Sequence, residues 1–298
     1  MIHIGVDFGG TKIEVAVLDA QGQFLSRLRA PNPGHYDAAI QTVCDLVAQS
    51  EKAVGQTGSI GVGTPGSISP HSGVMRNANT TWLNGRHLRE DLAKALGREV
   101  RLANDANCLA LSEAVDGAAA GLRVSFAVIL GTGCGGGLAV NGQLLEGANG
   151  VGGEVGHIPL PWPAADEVPG PACWCGQQGC LETWISGSGF QQDFTRATGK
   201  KLDGTAIVQA ARAGEPQAAA ALDRYIHRLG RALAVICNIV DPDAFVLGGG
   251  LSNVTELYER LPGVLRQYVF ADVWNGKIVP AKWGDSSGVR GAAWLWPT

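Results

Sequence analysis

The sequence has 298 residues, 45% of them apolar, and a formal net charge of −4. Such a chain can bury a sizeable core and fits one large or two medium domains. The acidic balance, with no basic stripe and no Lys/Arg-rich amphipathic segment, argues against nucleic-acid and membrane partners, and "RALAVICNIV" is far short of the about 18 unbroken apolar residues of a membrane span.

In chain order, the start "MIHIGVDFGG" lacks the basic region, apolar core and cleavage site of a secretory signal, so a cytoplasmic location is expected. "IHIGV" reads as a strand, "KIEVAVLD" as a second, and a turn at Gln21-Gly22 leads into a third, "QFLSRLR". Asp37 is expected to cap a helix through "AAIQTVCDLVAQSEKAV". Then come strand "SIGVG", helix "HLREDLAKALG" ending at Gly97, strand "EVRLA" and a helix starting at "DANCLALSEAV". This alternation predicts an α/β fold. Near residue 120 the pattern restarts. "SFAVILGTGCGGGLAVNGQLL" parallels "IHIGVDFGGTKIEVAVLDAQGQFL", which suggests two related α/β halves. Helices at "GTAIVQAARAG" and "PQAAAALDRYIHRLGRALAVICNIV", strand "DAFVLGG" and a terminal helix at "GVRGAAWLW" complete the second half. Five prolines between His157 and Cys173 make that segment a loop.

Each half has a Gly-rich turn after its first strand, "DFGGTK" (Asp7 to Lys12) and "GTGCGGG" (Gly131 to Gly137). Glycine lets backbone N–H groups approach phosphate oxygens, and Thr11 and Thr132 add hydroxyls. Either turn alone could equally be a tight hairpin; a pair of them favours a bound nucleotide. "GVGTPG" and "GTGCGG" match a dinucleotide fingerprint, but neither opens a helix. No P-loop motif is present.

"RLANDANCLA" puts Asn104 and Asp105 where a strand yields to a helix, the end of a strand where α/β folds gather ligands. Asp105 reads either as a helix cap or as a general base, with Asn104 binding a neighbouring hydroxyl. Cys173, Cys175 and Cys180, with His157 upstream, could complete a closed tetrahedral Zn²⁺ shell. Buried free thiols or a redox pair are the alternatives. Cys44, Cys108, Cys134 and Cys237 sit in apolar context and read as core residues. Glu154 and Glu182 flank the cluster and could accept hydrogen bonds from sugar hydroxyls.

"DFGGTK", "LANDAN", "GTGCGGG", "GEVGH" and "CWCGQQGCLE" resemble, in order and spacing, the signatures of the ROK family (repressors, open reading frames and sugar kinases), along essentially the whole chain. The resemblance implies an α/β, actin-like and ribonuclease H-like ATPase fold, two-lobed with a cleft between the lobes. Residues 1–118 would form the N-terminal lobe. Residues 119–287 would form the C-terminal lobe with a zinc loop at 157–180, and a helix at 288–298 would pack back on the first lobe. By motif match Asp105 would be the catalytic base. Gly66, Asn104, Asp105, Glu154, His157 and Glu182 would contact sugar. His157, Cys173, Cys175 and Cys180 would bind structural Zn²⁺, leaving the second His157 ring nitrogen for sugar. Asp7, Gly9, Gly10, Thr11 and Lys12, with Gly131, Thr132, Gly133, Cys134 and Gly135, would face the ATP phosphates. Mg²⁺ would lie near Asp7, and Gly249 and Gly250 of "LGGGLSN" would approach base and ribose.

Within the family, "GSISPHSGVMRNANTTWLNG", "RLANDANCLALSEAVDGAAAG" and "GDSSGVRGAAWLWP" resemble bacterial fructokinases of the manno(fructo)kinase type. That implies phosphorylation of fructose at the 6-hydroxyl, with mannose as a second substrate and a homodimer as the assembly. The alternatives are a glucokinase or N-acetylhexosamine kinase of the same family, and a non-catalytic sugar-binding regulator. A sugar-responsive repressor would need a DNA-reading domain, for which no segment is apparent before the strand that starts at Ile2.

Overall fold

The computed structural model describes residues 2–296. The alternating apolar residues of the first segments make an antiparallel meander, β1 (His3–Phe8), β2 (Lys12–Leu18) and β3 (Phe24–Pro31). Then come α1 (Tyr36–Val54), β4 (Ser59–Thr64), a small hairpin of β5 (Ser67–Ile68) and β6 (Met75–Arg76), α2 (Leu88–Leu96), β7 (Val100–Asn104) and α3 (Asp105–Val115). The second series is β8 (Val124–Leu130), β9 (Cys134–Val140), β10 (Gln143–Leu144), α4 (Glu182–Ile185), α5 (Gly187–Thr198), α6 (Gly204–Arg212) and α7 (Pro216–Val240). It closes with β11 (Ala244–Gly248), α8 (Glu256–Leu265), β12 (Lys277–Pro280) and α9 (Ser287–Ala293). No helix of the described residues is long and apolar enough to cross a membrane.

The two large sheets share one plan. Their orders are β3-β2-β1-β4-β7 and β10-β9-β8-β11-β12. In each, the first strand continues into parallel neighbours on one side, β1 with β4 and β8 with β11. Contacts divide the chain into two compact units. One comprises Met1–Gly121, Gly137–Gly152 and Lys282–Thr298; the other comprises Leu122–Gly136 and Gly153–Ala281. The segment Gly137–Gly152, which the sequence pattern assigns to the second lobe, groups with the first because Leu144 packs on Leu111 and Trp294.

In the first unit, Ile4, Val6 and Phe8 of β1 pack with Val43 and Val47 of α1 and Leu88 and Leu92 of α2. Burying each such side chain contributes roughly 1.5–3 kcal/mol. On the opposite face lies α9. A Cβ on Gly5 would come within 1.9 Å of the Val289 carbonyl, and one on Gly61 within 1.8 Å of the Ala292 carbonyl. Glycine at both positions is what lets the helix backbone touch the sheet. The terminal helix is shorter than its pattern suggests, and Pro297 and Thr298 lie outside the described residues.

Local signals set most boundaries. Gly97 ends α2 in a left-handed conformation with φ 68°. α1 departs from expectation: His35 is its N-cap residue, without a side-chain bond, and Asp37 lies in its first turn, where its charge favours the helix dipole. α4, α5, α8 and β12 carry no clear pattern in the sequence.

Candidate active site and metal centre

In the first unit the expected residues gather at the carboxyl ends of three adjacent parallel strands. Asp7 of β1 is in register with Gly63 of β4, and Thr64 of β4 with Asn104 of β7. Gly66 follows β4, and Asp105 opens α3. Asn104, not Asp105, caps that helix: its Oδ1 accepts the Asn107 N–H at 2.7 Å. Asp105 is exposed, and its Oδ1 accepts the Ala106 N–H at 2.8 Å. The cap thus falls to the neighbour, and the Asp105 carboxylate faces solvent at a strand end. Gly66 has φ 75°, and a Cβ there would lie 2.4 Å from the Arg76 carbonyl, so it serves a tight backbone crossing.

The turn Gly9–Thr11 joins β1 to β2. Its Gly9 carbonyl accepts Asn32 Nδ2 at 2.7 Å, and its Thr11 carbonyl accepts the Asn32 N–H at 2.9 Å. Asp7 faces Glu14 across the β1–β2 pair. Glu14 is buried and paired with Arg27 and, at 2.5 Å, with Arg29; Lys12 Nζ lies 3.9 Å from it. Burial first, and the Glu14 charge second, push Asp7 up to about 6, with Asp105 adding to the repulsion.

That shift has a stability consequence. The native state holds the Asp7 proton more tightly than the unfolded chain, whose value is about 3.9. The penalty therefore grows as pH rises from about 4 to 6 and is complete above 6. Asp7→Asn should stabilise the metal- and nucleotide-free protein at pH 7.5 by on the order of 2 kcal/mol. Denaturant titrations should show the gain vanishing near pH 4; an equal gain at both pH values would refute this account.

In the second unit, a short 3-10 turn, Val155–His157, follows Glu154. The segment beyond it folds over itself, with isolated bridges from Pro159 to Cys180 and from Ala172 to Gln178. The Gly176 N–H donates to the Cys173 carbonyl at 3.0 Å, a tight turn closed with Gly176 at φ 91°. His157, Cys173, Cys175 and Cys180 converge there, every pair of ligand atoms within 4.8 Å. Cys173 Sγ lies 3.7 Å from His157 Nδ1, and Cys175 Sγ 3.6 Å from Cys180 Sγ. A tetrahedron with Zn–S arms of about 2.3 Å has edges of about 3.8 Å, slightly shorter toward nitrogen. The donor set and spacing therefore fit Zn²⁺. The ring nitrogen on the metal side is Nδ1, leaving Nε2 as the second polar atom of His157.

The second Gly-rich turn sits against this centre. Glu182 Oε2 accepts the Cys134 N–H at 3.0 Å, and a Cβ on Gly133 would lie 2.7 Å from that same oxygen. Gly156 presses on the Cys134 carbonyl so closely that a Cβ would come to 2.1 Å. Close approach, not left-handed conformation, demands glycine at Gly136, where a Cβ would come to 2.6 Å of the Gly153 carbonyl; Gly131, Gly133 and Gly135 are likewise absent from the positive-φ glycines. Gly249, at φ 82°, stacks on Leu130 and Gly131, and Gly250 starts the short helical turn Gly250–Asn253 beside it. Thr132 is exposed at the tip.

Sequence reasoning missed three contributors. Trp174 donates its indole N–H to Glu182 at 2.6 Å. The pair Arg27 and Arg29 neutralises Glu14. Glu167, in the Pro-rich loop, pairs in the interior with Arg228 and Arg231 of α7. The signal for the first was an aromatic residue between two clustered cysteines; the others depend on long-range pairing.

Residues 3–298 match the model of the ROK family. The N-acetyl-D-glucosamine kinase of Pectobacterium atrosepticum is 41% identical over 299 residues, covering 99% of this chain and 98% of that protein. Among solved structures, the ROK hexokinase from Thermus thermophilus is 34% identical with a TM-score of 0.88, covering 98% of this chain and 97% of that one. The ROK family glucokinase from Streptomyces griseus, in complex with glucose and AMPPNP, is 29% identical with a TM-score of 0.79, covering 98% of each. Fold, site and relatives define a sugar kinase of the two-lobed, actin-like ATPase fold. The chain belongs to the ROK family.

Proposed function

We propose that this protein transfers the γ-phosphoryl group of ATP to the 6-hydroxyl of a free, uncharged hexose. The observation that carries the reading is Asp105: an exposed carboxylate at a strand end, relieved of the capping role by Asn104. Asp105 accepts the hydroxyl proton as the sugar oxygen bonds to the γ-phosphorus and ADP departs. Glu154, His157 Nε2 and Glu182 read the remaining hydroxyls. The turns at Gly9–Lys12 and Gly131–Gly135 hold phosphate oxygens through backbone N–H groups. Mg²⁺ near Asp7 would neutralise phosphate charge, and the carboxylates of Asp7 and Asp105, close enough for each to feel the other's charge, give the negative surroundings such a cation needs. Zn²⁺ in the Cys₃His centre would hold the sugar-reading loop in shape.

For the sugar itself, the relatives near 40% identity over almost the full length favour N-acetyl-D-glucosamine. A second reading, fructose, rests on the wording of "TTWLNG" and "GDSSGVRGAAWLWP". A site that hydrogen-bonds hydroxyls discriminates well, because a missing partner leaves buried polar groups unpaired. The expected result with Mg-ATP is a kcat/KM for one of these two sugars at least about tenfold above glucose and mannose. N-acetyl-D-glucosamine in the lead supports the first reading, and fructose in the lead replaces it with the second. Hexose phosphates should be poor substrates, since Glu154 and Glu182 repel anions. If no hexose is phosphorylated, the kinase reading falls.

A further inference from the structure

Trp174 has no task in the scheme so far. It lies between two metal-binding cysteines and is 65% exposed, an uncommon setting for so large an aromatic surface. Yet it is tied down. Its indole N–H donates to Glu182 Oε1 at 2.6 Å, and its ring meets His157 edge-on, with centroids 5.0 Å apart and planes at 88°.

The other oxygen of the same carboxylate holds the Cys134 N–H at 3.0 Å. Glu182 therefore carries one donor on each oxygen. One comes from the metal loop and the other from the Gly-rich turn. Its backbone is fixed two residues after Cys180, but that leaves the long side chain free to rotate. The indole N–H removes this freedom by anchoring the tip. The Gly187 N–H, five residues on, donates to the Gly131 carbonyl at 2.7 Å, so the turn is gripped at both ends from one stretch of chain.

We propose that Trp174 is a positioning residue: its indole N–H orients Glu182 so that the carboxylate holds the Cys134 amide, and thereby sets the Gly131–Gly137 turn for the nucleotide's phosphates. The metal loop then governs nucleotide binding as well as sugar reading. The inference rests on the ATP-dependent kinase reading.

Trp174→Phe separates this from simple shielding of the metal. Phenylalanine keeps an aromatic ring at this position and removes the donor together with part of the indole's bulk, and the Glu182→Gln background below separates the two. The probe is AMPPNP with Mg²⁺ and no sugar, followed by calorimetry, with zinc content measured on the same samples. The variant should keep its zinc and bind AMPPNP about 5–20-fold more weakly, the range expected for a partly exposed charge-assisted bond. In a Glu182→Gln background the same substitution should have a much smaller effect, because the two residues act in series. Unchanged AMPPNP affinity in Trp174→Phe overturns the proposal. So does zinc loss, or an equal effect in the Glu182→Gln background. If the native protein does not bind AMPPNP, the kinase reading falls and this inference with it; if it binds and Trp174→Phe binds equally, only the inference falls.

Discussion

Asp105→Asn should lower kcat by about 10²–10⁴-fold with little change in KM, the usual contribution of a positioned general base. The substitution is a clean one in this fold. The helix cap belongs to Asn104, so removing the Asp105 charge does not uncap α3. An asparagine Oδ1 can still accept the Ala106 N–H that Asp105 Oδ1 accepts now. The lost attraction between a carboxylate and a helix N-terminus costs about 0.3–1 kcal/mol. Thermal unfolding should thus move little while turnover collapses. Steady-state kinetics at saturating sugar and ATP make the measurement, and a variant with near-native kcat would remove Asp105 from its role.

Stripping the metal should abolish sugar phosphorylation while most of the fold survives. Metal analysis of protein purified without added zinc should first find one zinc per chain, given the Cys₃His donor set. Without the ion, burial first and hydrogen bonds to Cys175 and Cys173 next push the Cys180 thiol up to about 12, and the turn loses its centre. The damage should stay local because the rest of the loop has its own anchor. Glu167 takes both its carboxylate oxygens to Arg231 at 2.8 Å and also binds Arg228 at 2.7 Å. Arg228 binds Asp193 of α5, and Arg231 binds the Trp162 carbonyl at 2.5 Å. Breaking such a buried set would cost roughly 3–5 kcal/mol, and chelation leaves it untouched. Circular dichroism and activity, followed together during chelation, should therefore part company. Full activity in metal-free protein, or a native disulfide between Cys173 and Cys175, would reject the metal centre.

The sequence displayed the repeat of the two sheets because each begins with an apolar strand, a Gly turn and an alternating strand, and those patterns are local. It displayed the end of α2 at Gly97 and the start of α3 at Asp105 for the same reason. α8 was hidden because Pro262 lies inside it; the helix tolerates it while Leu257, Leu261 and Leu265 stay buried. α5 opens on Gly-Ser-Gly, which reads as loop, although Ser186 caps it by accepting the Gly189 N–H. In the site, the cluster of His157, Cys173, Cys175 and Cys180 could be read from residue types, but the grip of Glu182 on Cys134 could not. Those residues are 48 positions apart, and the bond depends on how the intervening loop folds back. Arg228 and Arg231 of α7 find their partner in Glu167, far along the chain, so no local pattern announces the pair.

The docking of α9 onto Gly5 and Gly61 also dictates when the first unit can finish folding during synthesis. β1 leaves the ribosome before the rest of the sheet, but the helix that covers its glycine face is made after every residue of the second unit, which ends at Ala281. At about 5–20 residues per second the N-terminal sheet waits roughly 10–40 s with one face bare. The second unit, begun later, is the one with all its parts in hand first. In the growing chain the order of completion runs opposite to the order of the sequence.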